Sequence, residues 1–301
     1  MKEEGRILKF SALGGLFFAI LGISWGWAID SEMITFDGLY SLISLGLALF
    51  AIVCTNFIKK RDLKKYPFGK ANMEPLIVII KSIVLLIMCF SSMFSAINEI
   101  LNGGNDVEVG FALAYSLISS VGCTVVYSYM KKKSKNLNSD IVKMESAQWF
   151  MDAIISLGVL IGFLISIVFK NIGLVAYSKY VDPGMVVLSS LIFFKMPITS
   201  IVSAFMELIN RKADDSINFD ISNLVREIEE EYNLEESVAR VAKIGRELRI
   251  EIDFILSNDS TIKSVDDMDE VREIIDENTN HFELEKWLNV TFTKNKKWAI
   301  W

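Results

Sequence analysis

Two groups of polar side chains occur at helical spacing inside apolar stretches of the sequence. The first recurs every three or four residues and consists of Asp37, Tyr40, Ser41 and Ser44. The second repeats a spacing of four residues and consists of Gln148, Asp152 and Ser156. Each spacing puts its group on one face of a helix. If the two faces met, they would offer carboxylate, amide, hydroxyl and phenol oxygens, which suit hard or borderline cations such as Mg²⁺ and Mn²⁺.

Charged residues inside these apolar stretches point to function, because a charge within a membrane span costs several kcal/mol. Asp37 and Asp152 are the acidic examples, and Lys81 and Lys195 are the basic ones. Purely structural interpretations remain open. The serines would then let helices pack closely, Asp152 would pair with Lys81, and Lys195 would extend to the membrane surface. The three cysteines, Cys54, Cys89 and Cys123, are interpreted as packing residues.

Six apolar runs are long enough to cross a bilayer, which needs about twenty residues per helix. They lie at about 8–29, 33–57, 74–101, 108–130, 143–169 and 183–208. Basic residues concentrate before the first run, at 59–65, at 131–135 and after the sixth. Because positive loops stay in the cytoplasm, both termini are predicted to be cytoplasmic. We therefore predict an integral, multi-pass protein of the cell membrane, with a six-helix transmembrane domain at 1–210.

The remaining residues, 211–301, are predicted to form a cytoplasmic domain. Acidic residues outnumber basic ones there by 22 to 13, which argues against binding to nucleic acid. Helical spacing over 217–233, alternating apolar residues at 238–244 and 248–254, a second helix from Ser264 and a last strand at 288–292 indicate the order α-β-β-α-β. The predicted fold class is thus an α-helical membrane protein with a ferredoxin-like α+β domain at its C-terminus.

Four segments carry a family resemblance. They are FDGLYSLISLGLAL (36–49), YPFGKANMEPL (66–76), MESAQWFMDAIISLGVLIG (144–162) and DPGMVVLSSLIF (182–193). With the six spans and the α+β tail, these segments resemble the cation diffusion facilitator family of divalent-metal transporters. The resemblance covers nearly the whole chain. PFG followed by EP, together with the DAIISLGVLIG run, is its most specific part.

The resemblance implies a homodimer, joined through the cytoplasmic domain, that exports a divalent cation and in many members exchanges it for protons. It places the family's four-ligand transport site on Tyr40, Ser44, Gln148 and Asp152, with Asp37 at an acidic position just before it. Only Asp152 keeps the usual carboxylate. The only histidine of the chain is His281, in the tail, so any coupled proton would be carried by Asp152 or Asp37. The cation is the substrate, and no resident cofactor is implied.

The altered ligands favour cations that bind oxygen. Zinc prefers tetrahedral sites rich in imidazole or thiolate, and this site is expected to supply neither, so Mn²⁺, Fe²⁺ or Mg²⁺ is expected rather than Zn²⁺. The family's loop metal site also loses both histidines, to Tyr66 and Lys70. The Lys70 ammonium would either stand where a cation binds or simply be solvated.

Two other functions fit the same residues. A relative that has lost transport could act as a membrane scaffold or regulator, and a transporter of a monovalent or organic cation could use Asp152 as counter-charge. An enzyme is not expected, because no nucleophile–base pair or HExxH-like motif occurs on any span. Metal-stimulated flux would distinguish a transporter from the scaffold or regulator. Competition by divalent ions during uptake would distinguish a divalent-cation transporter from a transporter of a monovalent or organic cation.

Overall fold

The computed structural model describes residues 2–60, 62, 64–137, 140–282 and 284–299. Six of its helices are long and apolar enough to cross a membrane, which confirms the predicted fold class. They are α1 (Lys2–Ala28), α2 (Glu32–Lys59), α3 (Met73–Leu101), α4 (Val109–Leu137), α5 (Asp140–Asn171) and α7 (Val181–Leu208). A short helix that the sequence did not indicate, α6 (Val175–Ser178), precedes α7. The basic segment at 59–65 includes Arg61 and Leu63, which lie outside the described residues.

The chain forms two compact units. One consists of Met1–Val53 and Lys81–Thr199, and the other of Cys54–Ile80 and Ser200–Trp301. The second unit thus includes the end of α2, the start of α3 and the end of α7 as well as the C-terminal residues. The predicted domain boundary between residues 210 and 211 stays a prediction.

Helices α1 and α2 in the first unit approach each other closely where glycines face glycines. A methyl group at Gly38 would lie 2.5 Å from the backbone nitrogen of Ile23 and 2.8 Å from the carbonyl carbon of Gly22. Because backbone atoms cannot move aside as a flexible side chain can, only glycine fits at position 38. Small residues at such crossings let helices of membrane proteins make close van der Waals contact.

The start of α2 is fixed by a buried carboxylate from α7. Asp182, only 2% exposed, accepts a hydrogen bond from Ser31 Oγ at 2.6 Å and another from the backbone nitrogen of Glu32 at 2.8 Å. The Ser31 hydroxyl in turn accepts from the backbone nitrogen of Ile34 at 3.2 Å. Amide groups at a helix start lack partners within the helix, so this arrangement holds α2 in position a short distance before Asp37.

The C-terminal residues form a three-stranded sheet with two helices, α8 (Asp215–Glu231) and α9 (Val265–Asn278). The strands are β1 (Leu234–Ile244), β2 (Glu247–Leu256) and β3 (Glu285–Thr293), in the spatial order β1-β2-β3. β1 pairs with β2 antiparallel and β2 pairs with β3 parallel. The chain order is therefore the predicted α-β-β-α-β.

The core of this region is built from alternate residues of the sheet and one face of each helix. Its buried side chains include Ile221, Val225, Leu248, Ile250, Ile252, Phe254, Val271 and Ile275. The start of α9 has a capping box, in which Ser264 Oγ accepts from the backbone nitrogen of Asp267 and the Asp267 carboxylate accepts from that of Ser264. This exchange satisfies amide groups that the first turn of α9 would otherwise leave unpaired.

Candidate cation site

A cavity of about 80 Å³ lies within the first unit. All five residues predicted for the transport site line it: Asp37, Tyr40, Ser44, Gln148 and Asp152. Ser41 and Ser156, which share the helix faces of those residues, line it as well. The two polar faces noticed in the sequence therefore do meet around one cavity. Their role in binding a cation stays a prediction.

Direct contacts join α2 and α5 at this cavity. Gln148 Nε2 donates a hydrogen bond to Ser44 Oγ at 3.3 Å, which leaves the amide oxygen of Gln148 as a potential ligand. The ring of Tyr40 stacks on that of Phe193 from α7, with centroids 4.6 Å apart. Asp152, one turn along α5 from Gln148, is half-buried in the cavity wall.

Asp37 is held by a tyrosine from a third helix. Tyr115 of α4 is 2% exposed, and its hydroxyl donates to Asp37 Oδ2 at 2.9 Å. The Tyr115 hydroxyl therefore occupies Oδ2 of Asp37 and does not bond to Oδ1 of the same carboxylate. A neutral donor leaves the negative charge of an ionised carboxylate in place, so Asp37 can still attract a cation.

Helix α4 also contributes to the cavity, which the sequence did not predict. Ser119 and Cys123 of α4 line it, as do Ser11 of α1 and Trp149 of α5. The hydroxyls of Ser119 and Ser156 are 2.8 Å apart, and Trp149 Nε1 donates to Ser11 Oγ at 2.6 Å. The available signal was the spacing of four residues that separates Tyr115, Ser119 and Cys123 in the fourth span.

Cys123 packs in an apolar cluster and also lines the cavity. The ligand set implied by the family resemblance contains no thiol, and the membrane cysteines are interpreted separately as packing residues. Cys123 is indeed buried, at 4% exposure, but it also lines the cavity that contains Asp37 and Asp152. Helical spacing within α2 and α5 cannot show which side of α4 faces them, so the place of Cys123 on the cavity wall could not be predicted.

The cavity does not present a ready-made metal cluster. Within the part of the chain that the structure describes, no three His, Cys, Asp or Glu side chains come together as metal ligands usually do. What the cavity does offer is two carboxylates, one thiol, one amide and several hydroxyl groups. Neutral oxygens and water would have to complete the coordination of any cation.

The Lys70 ammonium is held by backbone carbonyl groups, and the expectation that it stands where a cation binds stays a prediction. Its ammonium donates to the carbonyl oxygens of Phe57 at 3.0 Å and Lys60 at 2.9 Å, at the end of α2. It also lies 3.9 Å from the centroid of the Phe57 ring and 4.8 Å from that of Tyr66. A cation is favourable at the negative end of a helix dipole, so Lys70 supplies a positive charge to this loop from the chain itself.

Comparison with known proteins places the chain in a family. The family model described as the cation efflux transmembrane domain matches residues 8–209. Among curated relatives, the manganese efflux system protein MneS of Bacillus subtilis is 22% identical over 162 residues, which is 54% of this chain and 55% of the relative. An uncharacterized transporter of Methanocaldococcus jannaschii is 24% identical over 169 residues, or 55% of this chain and 58% of the relative. The chain thus spans somewhat more than half the length of these two relatives.

A third relative matches over a longer stretch. The magnetosome protein MamB of a Magnetospira species is 22% identical over 278 residues, which is 86% of this chain and 90% of the relative. The family match extends over more than half of the chain and includes the whole lining of the cavity. The chain is therefore a member of the cation efflux family and a multi-pass integral membrane protein with six candidate spans.

Proposed function

We propose that this protein is a secondary transporter that exports a divalent cation from the cytoplasm, with Mn²⁺, Fe²⁺ or Mg²⁺ favoured over Zn²⁺. The main observation in support is that the five predicted site residues, drawn from α2 and α5, line one cavity. A carboxylate- and hydroxyl-rich lining suits cations that prefer oxygen ligands. The manganese efflux function in the name of the Bacillus relative points in the same direction.

The geometry suggests a different role for each side chain. Asp152 is the principal ligand, and the oxygens of Gln148 and Tyr40 are auxiliary ligands. Ser44, already bonded to Gln148, contributes weakly or through water. Asp37, anchored by the Tyr115 hydroxyl, attracts the cation or accepts the proton exchanged for it.

The assembly that we propose around this site follows the family resemblance. The transport domain comprises 1–210, and the cytoplasmic domain, 211–301, joins two copies of the chain into a homodimer. Both termini face the cytoplasm of a cell whose plasma membrane holds the protein. Alternating access would open the cavity first to the cytoplasm and then to the outside, with proton antiport as the coupling.

Flux into reconstituted vesicles tests this proposal. The purified protein is compared with Asp152→Ala and with the matched control Asp106→Asn, which changes an exposed aspartate outside the cavity that pairs with Lys170. We expect Mn²⁺ flux that Asp152→Ala abolishes and Asp106→Asn leaves intact, with a pH gradient of the correct direction accelerating it. Full flux in Asp152→Ala would refute the site.

One alternative gains support from a specific observation. The lack of a ready-made cluster of His, Cys, Asp and Glu within the described ranges fits a relative that has lost transport and acts as a membrane scaffold or regulator. Such a protein would fold normally in vesicles and give no metal-dependent flux for any divalent cation. Flux of a monovalent or organic cation that divalent ions do not inhibit would instead indicate a changed substrate.

A further inference from the structure

The cavity ends at Asp37 in the direction of the start of α2. Of the described α2 residues that line the cavity, Asp37 is the first, and the others follow as far as Ala48. The residues just before Asp37 are packed instead, with Met33, Ile34 and Phe36 at most 2% exposed. They belong to a cluster with apolar side chains of α4, α5 and α7. In the topology that we propose, α2 begins at the outer surface, so packed side chains separate the cavity from the outside.

Helices α1 and α2 touch at these outer ends and separate beside the cavity. A methyl group at Gly22 would lie 2.8 Å from Cα of Gly38, and one at Gly26 would lie 2.5 Å from the backbone nitrogen of Thr35. Earlier on α1, a methyl group at Gly15 would meet no described atom within 4 Å, although Gly15 lines the cavity. Backbone contact therefore closes the gap between α1 and α2 at their outer ends, whereas the gap stays open beside the cavity.

Asp182 of α7 holds the outer end of α2 in this closed position. Its carboxylate accepts hydrogen bonds from Ser31 Oγ at 2.6 Å and from the backbone nitrogens of Glu32 at 2.8 Å and Met33 at 3.4 Å. Asp182 and Ser31 are 2% and 1% exposed. A serine before a helix commonly caps it alone, and Ser31 does accept from the backbone nitrogen of Ile34 at 3.2 Å. The additional carboxylate therefore ties α2 to α7 as well as completing the cap.

We propose that the outer ends of α1, α2 and α7 form the outer gate of the transport site, and that the bonds between Asp182 and the start of α2 are its latch. This inference rests on the proposed function, since it names the step by which the same cavity releases its cation outward. Asp182 is not among the described residues that line the cavity, so it is a positioning residue that acts through α2. Packed helices switch between discrete arrangements, and loss of the latch shifts the population towards the arrangement that is open to the outside.

Access to the cavity from each side of the membrane tests the gate without measuring transport. The three native cysteines are replaced by serine, and Ser41→Cys puts a single reporter thiol on the cavity wall. Sealed right-side-out and inverted membrane vesicles that contain the full chain are treated with a charged methanethiosulfonate reagent, which does not cross the bilayer. Asp182→Asn and Ser31→Ala weaken the latch. Ser116→Ala is the matched control, because Ser116 is also buried, at 0% exposure, but its hydroxyl donates to a carbonyl of its own helix.

We expect the reporter to react slowly from the outside when the latch is intact and in Ser116→Ala. Asp182→Asn should accelerate this outside reaction by about 10- to 100-fold, because a hydrogen bond to a charged group shifts an equilibrium by about that factor. Ser31→Ala removes one of the three bonds and should have a smaller effect in the same direction. If Asp182 only stabilised the fold, its loss would accelerate labelling from both sides alike. That result, or an unchanged outside rate in Asp182→Asn, would overturn the gate, and Ser31→Ala decides if Asp182→Asn does not reach the membrane.

The transport assay separates failure of this inference from failure of the proposed function. An outside labelling rate that Asp182→Asn leaves unchanged, together with Mn²⁺ flux that depends on Asp152, would refute the gate alone. Absence of any divalent-cation flux in the unaltered protein would refute the proposed function. The labelling comparison would then still decide whether these contacts close the outer end of the cavity.

Discussion

The turn between β1 and β2 is held by two glutamates within the second unit, and this predicts a large effect of adding one methyl group. Gly245 donates its backbone N–H to Glu207 Oε2 at 2.9 Å, and Arg246 donates its own to Glu74 Oε2 at 3.0 Å. Gly245 has a φ of +57°. A methyl group there would lie 2.4 Å from Glu74 Oε2 and 2.8 Å from Glu74 Cβ.

The expected cost of Gly245→Ala has two parts. The left-handed backbone costs a residue with a side chain about 1 to 2 kcal/mol. The clash also displaces Glu74 and removes its bond to the amide, and hydrogen bonds to charged groups contribute about 1.5 to 3 kcal/mol. The ion pair between Arg246 and Glu74 adds little, because the arginine side chain is 58% exposed. We therefore expect a loss of about 3 kcal/mol in the free energy of unfolding.

Gly69→Ala is the matched control. Gly69 also has a positive φ, +75°, but a methyl group there would lie 3.9 Å from its nearest neighbour, an ordinary contact. This control should therefore lose only the backbone part, about 1 to 2 kcal/mol. In a background of Glu74→Ala the contact with the carboxylate disappears and only the 2.8 Å contact with Cβ remains, so adding Gly245→Ala should cost less than it does in the unaltered protein.

Unfolding of the purified full chain in mixed micelles, followed by tryptophan fluorescence, measures these differences. Hydrogen exchange at the amides of Gly245 and Arg246 shows whether the turn itself has opened, and it should accelerate in Gly245→Ala only. The reasoning is refuted if Gly245→Ala costs no more than Gly69→Ala. It is also refuted if Glu74→Ala fails to reduce the cost of the added methyl group.

Four further substitutions test the packing of α1 against α2 and the cap of α9. Gly38→Ala should lower stability by about 3 kcal/mol or more, because its methyl group would collide with the backbone of α1. Gly46 lies on the same helix, and a methyl group there would have nothing within 4 Å, so Gly46→Ala should be neutral or stabilising by up to about 1 kcal/mol. Equal thermal unfolding midpoints for Gly38→Ala and Gly46→Ala would contradict the predicted clash. Ser264→Ala should cost about 1 kcal/mol through loss of the capping box. Backbone hydrogen bonds from Lys263 and Ser264 lower the pKa of Asp267 below its ordinary value of 3.8. The ionised Asp267 carboxylate therefore stabilises the fold fully above pH 3.8, and this stabilisation is lost as the pH falls through the lowered pKa. Asp267→Asn should lack this acid-dependent loss in an unfolding titration, and identical acid profiles would count against the cap.

The membrane spans and the α+β order could be predicted because their signals are local. Hydropathy over about twenty residues identifies a span, and the alternation around Leu248, Ile250 and Ile252 identifies a strand. The start of α9 was visible as Ser264 followed three residues later by Asp267, the spacing of a capping box. Each of these patterns depends on neighbours within a turn or two, so no tertiary information was needed.

The candidate site was predicted only in part. The faces of α2 and α5 that carry Asp37 and Asp152 could be recognised from charges that a bilayer would otherwise exclude. Serine, cysteine and tyrosine in α4 carry no such signal, because membrane helices commonly use them for packing. Tyr115 and Cys123 could therefore not be distinguished from ordinary packing residues.

By itself, the sequence determined which segments enter the membrane, which side chains carry charge there, and which residues share the face of one helix. Only the tertiary structure decided that residues of four helices, α1, α2, α4 and α5, line one cavity, that Tyr115 holds Asp37, and that a thiol lines the same cavity as two carboxylates. The physical reason is that helical period and hydropathy are local properties of the chain. The rotation of one helix relative to another depends on packing between residues far apart in sequence, such as Gly22 against Gly38 and Ser31 against Asp182.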